Sequence, residues 1–233
     1  MASLSFPELR RALQALSSVY VERRGRLAEG AALETAGKRS AFALYYGPLH
    51  FLLVREIVRA LGPTSLAPRR ILDLGCGTGA AGGAWALACG QASVEAVDRS
   101  GWAVAEARWT LSRLGLRARV LKGEAARAPL PRPPAGVVAA YTLNELDPPK
   151  RDGLRPRLLE AGRAGTRVLI VEPLSRRVSP WWPAWAEAFR AAGGREDEWR
   201  FRIELPQTLR LLGKATGLDN RELSGRSLFL ASG

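Results

Sequence analysis

Residues 69 to 233 predict an α/β fold built from parallel strand–helix–strand units, and three observations lead there. Apolar runs of strand length alternate with amphipathic segments of helix length from residue 69 onward. Residues 71–79, Ile-Leu-Asp-Leu-Gly-Cys-Gly-Thr-Gly, carry an apolar strand into three alternating glycines, a sequence that lets the backbone turn tightly beside a ligand. A late apolar run at 226–232 brings the number of candidate strands to seven.

Taken in order, the chain begins with a helical pattern from Pro7 to Arg24, where Leu9, Leu13, Leu16 and Tyr20 recur on one face and arginines on the other. Lys38 to Tyr46 is expected to be helical, Gly47-Pro48 to break that helix, and Leu49 to Leu61 to form the next one. These segments define an N-terminal helical part, residues 1–66. A second domain, 67–233, holds strands near 70–75, 93–98, 118–122, 136–142, 166–171, 199–204 and 226–232, with helices between most of them. Ala128 to Pro134, which contains four prolines, reads as a stiff loop before the fourth strand.

Composition narrows the class. At 233 residues, 47% apolar and 24% charged, the chain can bury one sizeable core. Its longest uncharged stretch, Leu74 to Val94, is rich in glycine and contains the loop described above, so it is not read as a membrane span, and no membrane partner is expected. The first residues lack a basic head followed by an apolar run, which argues against secretion. With Cys76 and Cys89 as its only cysteines, the chain offers neither a disulfide framework nor a four-cysteine metal site; a reducing, cytoplasmic setting and no metal are expected. The formal charge of +13 invites a polyanionic partner, although 31 of the 35 basic residues are arginine, as GC-rich coding alone would produce. Residues 1–70 carry 11 basic against 5 acidic side chains and 71–233 carry 24 against 17, so the leading part is the more positive per residue.

The glycine run satisfies the dinucleotide pattern in two registers, in which a helix start holds a pyrophosphate. Asp73 separates this from a second reading, because a carboxylate two residues before the first glycine repels a pyrophosphate and suits an ammonium group. The segment resembles motif I of the class I S-adenosylmethionine-dependent methyltransferases, an acid, any residue, then Gly-x-Gly-x-Gly. That resemblance implies a Rossmann-like seven-stranded sheet, mostly parallel with an antiparallel last strand. It also implies S-adenosyl-L-methionine as cofactor, its methionine and ribose lying over Gly75, Cys76, Gly77, Thr78 and Gly79. Asp98, 19 residues after Gly79 at the end of the second strand, suits the two ribose hydroxyls, with Arg99 beside it; the alternative is a cap for the helix starting near Gly101. Glu124, with Ala125, resembles the acid that reaches the adenine amino group, the alternative being a solvated turn. Cys76 has no histidine near it in sequence to activate it and reads as a small loop residue.

Catalytic candidates follow the fourth strand, since ligands gather at the carboxyl ends of strands in open α/β sheets. Tyr141 borders the expected position of the sulfonium, and Asn144 and Glu145 are placed to orient or deprotonate an acceptor; either of the latter two alternatively caps a helix starting near Pro148 or Lys150. Glu172, at the end of strand five, points to the same crevice. His50, the only histidine, is a candidate base or a structural residue. Tyr45, Tyr46 and the Trp181-Trp182-Pro183-x-Trp185 cluster suit either base stacking or core packing.

Ala43 to Val58, Tyr141-Thr142-Leu143-Asn144-Glu145-Leu146 and Leu169-Ile170-Val171-Glu172-Pro173 resemble the methyltransferase-like branch associated with the small subunit of mitochondrial ribosomes and its bacterial relatives. That branch implies rRNA or ribosomal small-subunit partners. The chain departs from it in lacking the cysteine set that binds a metal centre in the mitochondrial members. Three functions stay open: RNA methyltransferase, methyltransferase for a small-molecule acceptor, and non-catalytic ribosome-assembly factor. The basic leading segment favours the first.

Overall fold

The computed structural model describes residues 5–22, 35–62, 67–175, 177, 179–218 and 222–231, with no side chains for 18–22. The expectations for Tyr20, Arg23 and Arg24 therefore lie outside the described side chains. The chain divides into two compact units, Met1–Leu49 with Phe201–Leu223, and His50–Arg200 with Ser224–Gly233. The first unit thus takes in a late stretch that the sequence reading left with the domain from residue 67.

In the first unit, α1 (Phe6–Glu22) opens on a capping box in which the Ser5 N–H and hydroxyl both donate to Glu8, at 2.8 and 2.6 Å. Its buried stripe is Leu9, Leu13 and Leu16. Helix α2 (Ala36–Ala41) is capped by Thr35, whose hydroxyl accepts from Lys38 N. The expected break at Gly47-Pro48 does not occur. The chain widens instead into a π-turn, Phe42–Tyr46, and continues directly as α3 (Gly47–Leu61), whose residues from His50 onward belong to the second unit. The Gly47 N–H bonds back to Phe42 O, and this wider turn accommodates a proline that lacks a donor and would clash with a regular preceding turn. Tyr45, 1% exposed, is core rather than a stacking platform. Late in the chain α8 (Gln207–Thr216) buries Leu209 and Leu212 and ends on Gly217 in the left-handed region.

The second unit is a seven-stranded sheet in the order β3-β2-β1-β4-β5-β7-β6. Strands β1 (Arg70–Leu74), β2 (Ser93–Asp98), β3 (Ala118–Lys122), β4 (Ala135–Ala140) and β5 (Arg167–Glu172) pair in parallel. Strand β7 (Leu223–Leu230) runs antiparallel to β5 and sets Arg226 opposite Glu172. Strand β6 (Arg195–Phe201) begins four residues before the expected start, because Arg-Glu-Asp-Glu reads as loop in sequence yet suits an exposed edge strand.

Helices α4 (Ala80–Ala88), α5 (Gly101–Arg113), α6 (Pro148–Arg163) and α7 (Trp182–Ala191) connect the strands. Leu74, Val137, Ile170, Leu154, Leu158, Trp182, Trp185 and Phe189 form the centre of one core cluster. The tryptophans pack on each other and on Phe189, which is the packing reading of that cluster. The strand order reverses between β1 and β4, and this places the ligand crevice at their carboxyl ends. Among the described residues no helix is long and apolar enough to cross a membrane.

Candidate functional site

Strand β1 ends at Leu74 and the chain enters α4 through Gly75–Gly79, with Gly75, Gly77 and Gly79 at φ +67°, +53° and +76°. Only glycine adopts such angles three times in one loop without strain. Gly75 is required for a second reason: a Cβ there would sit 2.6 Å from Thr142 Oγ1. Thr142 lies just after β4, and its hydroxyl donates to Leu74 O at 2.8 Å. The ends of β1 and β4 are therefore stitched together directly beneath the loop.

Two carboxyl groups brace this loop and two more lie by the segment after β4. Asp73 is 1% exposed and accepts from Gly82 N at 2.8 Å, so it braces the start of α4. Burial, opposed by that hydrogen bond and assisted by Asp98, pushes its pKa up to about 7. Asp98 accepts from Gly77 N at 3.0 Å and from Ser100 N at 2.8 Å. The cap of α5 is Ser100, whose hydroxyl accepts from Ala103 N, rather than Asp98. Each Asp98 oxygen thus keeps a further lone pair beside the glycine loop. Glu145 is pushed up to about 7 by burial, with Arg99 opposing and Asp98 adding to the shift. Glu172, fully buried, is pushed up to about 8 by burial, with Glu145 contributing to the rise and Arg226 opposing it.

The segment after β4 is held from several sides. Tyr141 sits at φ +58°, unusual for a non-glycine residue, and its N–H donates to Val171 O at 2.8 Å. Leu143–Glu145 forms a 3-10 turn, so neither Asn144 nor Glu145 caps α6, which starts at Pro148 behind Asp147. Glu172 accepts from Leu143 N at 3.1 Å and from the Asn144 side-chain amide. Trp181 Nε1 donates to the Asn144 carbonyl oxygen at 2.9 Å. His50 stacks on Tyr141, with ring centroids 4.0 Å apart and planes 16° from parallel. Burial pushes His50 down to about 4, leaving a neutral and weakly basic imidazole whose visible contact is support of the Tyr141 ring.

The remaining sequence candidates fall around the same end of the sheet. Cys76 and Thr78 are buried in the loop, and burial holds the Cys76 thiol well above its usual pKa, which makes it a poor nucleophile. Arg99 is exposed. Glu124 pairs with Lys150 at 3.3 Å, and Ala125 beside it is buried. The sequence assigns no role to Thr142 and offers Trp181 only as part of a stacking or packing cluster. Thr142 stands inside the quoted motif, but only the fold brings Leu74 O to its hydroxyl. Trp181 is 37 residues from Asn144, and no spacing rule connects them.

The acids near the loop bear on its two readings. Asp73 and Asp98 are neighbouring acids, as are Asp98 and Glu145, and Glu145 and Glu172. Once ionised, such acids repel a pyrophosphate and suit a cofactor that carries a sulfonium, an ammonium and a ribose diol.

Comparison with known proteins agrees. Residues 71–162 match the methyltransferase domain family. This domain match and the fold support a class I S-adenosylmethionine-dependent methyltransferase. Over 58 residues the chain is 48% identical to the release factor glutamine methyltransferase of Bordetella pertussis, a stretch covering 25% of this chain and 22% of that protein. The fold is shared with an O-methyltransferase family protein from Burkholderia thailandensis (TM-score 0.58, 15% identity, 96% of this chain and 71% of that one). It is also shared with a precorrin-6y C5,15-methyltransferase from Geobacter metallireducens (TM-score 0.50, 12% identity, 78% and 87%). The matched residues, 71–162, are flanked by segments outside the match.

Proposed function

We propose that this protein transfers a methyl group from S-adenosylmethionine to an RNA acceptor, with rRNA of the small ribosomal subunit as the first candidate. The cofactor half rests on one observation: a loop of three left-handed glycines is held by Asp98, whose carboxylate accepts from Gly77 N. Gly75 to Gly79 would hold the methionine and ribose portions, Asp98 the ribose hydroxyls, and Glu124 the adenine edge. Asp73 acts behind the loop, fixing α4 and adding negative charge. When bound, the cofactor supplies an activated methyl group on a sulfonium.

The protein's own part is positioning and proton handling. Tyr141, held in a strained backbone conformation and stacked by His50, forms a rigid wall after β4. Asn144, held at both ends of its amide, is suited to orienting an acceptor. Glu145, with its pKa near 7, is suited to take a proton from a hydroxyl or amide acceptor. The RNA half is supported by the charge of +13 and by the resemblance of Tyr141 to Leu146 and Leu169 to Pro173 to the ribosome-associated branch.

The test is tritiated methyl transfer from labelled cofactor into fractionated RNA, protein and metabolites, with Asp98→Ala as control. Label in RNA that is lost in the control supports the proposal. Label in metabolites or protein moves the acceptor class, and no label in any fraction favours a non-catalytic assembly factor.

A further inference from the structure

The edge of the sheet farthest from β7 carries a surface that nothing above uses. Helix α5 and edge strand β3 occupy residues 101–122, which hold five basic side chains, Arg108, Arg113, Arg117, Arg119 and Lys122, against one acid, Glu106. Arg108 reaches the edge itself, donating to Val120 O at 2.8 Å, and so ties α5 to the free edge of β3. Arg113, Arg117, Arg119 and Lys122 are all exposed, and none of them has an ion-pair partner among the described residues. Glu95, opposite Arg119 in register, pairs instead with Arg70 at 3.5 Å. Some arginines elsewhere are engaged, Arg55 and Arg59 with Glu56, Arg190 with Glu196 and Arg195 with Asp197.

This edge also exposes large apolar groups. Trp109, on α5, is 54% exposed, and Leu121, on the face of β3 turned away from α5, is 47% exposed. Trp109 and Arg113 stand four residues apart on α5 and so project as neighbours on one helix face. An indole left in solvent beside cations lacking partners is the combination that binds single-stranded nucleic acid, where bases stack on aromatic faces and phosphates meet arginine. A second copy of this chain is disfavoured as the occupant, because a two-fold pairing of this edge would set its like charges against each other.

We infer that the α5–β3 edge is a docking surface for single-stranded RNA, with Trp109 as the stacking platform and Arg113, Arg117 and Arg119 as phosphate contacts. The inference rests on the RNA reading above. It adds a binding site away from the glycine loop.

The experiment measures binding of a fluorescein-labelled 12-nucleotide uridine RNA to the full chain by anisotropy across a salt series. Trp109→Ala should weaken binding about tenfold, within the range for loss of one stacked base. The variant Arg113→Gln/Arg117→Gln/Arg119→Gln should reduce the slope of log affinity against log salt by about 0.7 per cation removed. All these side chains are exposed, and urea denaturation of each variant confirms that the fold is kept. If the wild type binds RNA with a steep salt dependence and both variants match it, the surface is wrong while the RNA reading survives. If the wild type shows no salt-dependent binding, both fail.

Discussion

Trp181 Nε1 donates to the side-chain oxygen of Asn144 at 2.9 Å, and the amide nitrogen of Asn144 donates to buried Glu172. The amide is therefore fixed in one orientation by a donor on one side and an acceptor on the other. Trp181→Phe keeps most of the ring packing and removes the N–H. It should cost about 1 kcal/mol of stability, the usual net value of one hydrogen bond. The larger effect should be on turnover: kcat falls about 10- to 100-fold as the acceptor loses its alignment, while cofactor affinity is kept. Urea denaturation, calorimetry with S-adenosylmethionine and transfer kinetics separate these terms. Equal losses in affinity and turnover would assign Trp181 a purely structural role.

Gly75 and Thr142 should be energetically coupled. Gly75→Ala adds a methyl group against Thr142 and forces a non-glycine residue to φ +67°, for an expected cost of about 2–4 kcal/mol. Thr142→Ala removes the clashing atoms together with the bond to Leu74 O. The double variant should be more stable than the sum of the single costs by about 1 kcal/mol, the backbone strain remaining. Additive costs in denaturant titrations would show that the contact is not the source of the loss.

Asp98 joins loop geometry to ligand recognition. Asp98→Asn keeps an acceptor for one of the two N–H groups of Gly77 and Ser100 but removes the charge. Calorimetry should show cofactor affinity reduced about 10- to 100-fold, with stability lowered by about 1–2 kcal/mol. An unchanged affinity would remove Asp98 from the cofactor site.

The sheet was legible because five of its strands are short apolar runs bounded by turns, and the boundaries of β2 and β3 coincide with the sequence pattern. Strand β6 began earlier than expected because an edge strand need not be apolar, and Arg195 to Glu198 carry only charge. Gly47-Pro48 misled for a local reason: the rule that proline ends a helix assumes regular preceding turns, and a π-turn removes the clash. In the site, the glycine loop and Asp98 could be read from spacing. The grip on Asn144 could not, since Glu172 and Trp181 reach it from other elements, 28 and 37 residues away.

Acidity should affect the free protein and the cofactor complex in opposite directions. Carboxyl groups in an unfolded chain titrate near pH 4, whereas Asp73 and Glu145 are pushed up to about 7 and Glu172 to about 8. Between these limits the folded state holds protons that the unfolded chain has released. Unfolding then releases protons, so the stability of the free protein falls as pH rises from about 5 to about 8. A cationic cofactor favours the ionised acids, so its affinity should rise over the upper part of the same window, by at most tenfold per pH unit for each proton released. Glu172→Gln should flatten the stability profile, and Asp73→Asn should flatten the affinity profile. Urea midpoints and calorimetry at pH 5.5, 7.0 and 8.5 test both slopes. Parallel slopes would mean that the cofactor's positive charge does not sense these acids, which would then lose their place in the cofactor assignment.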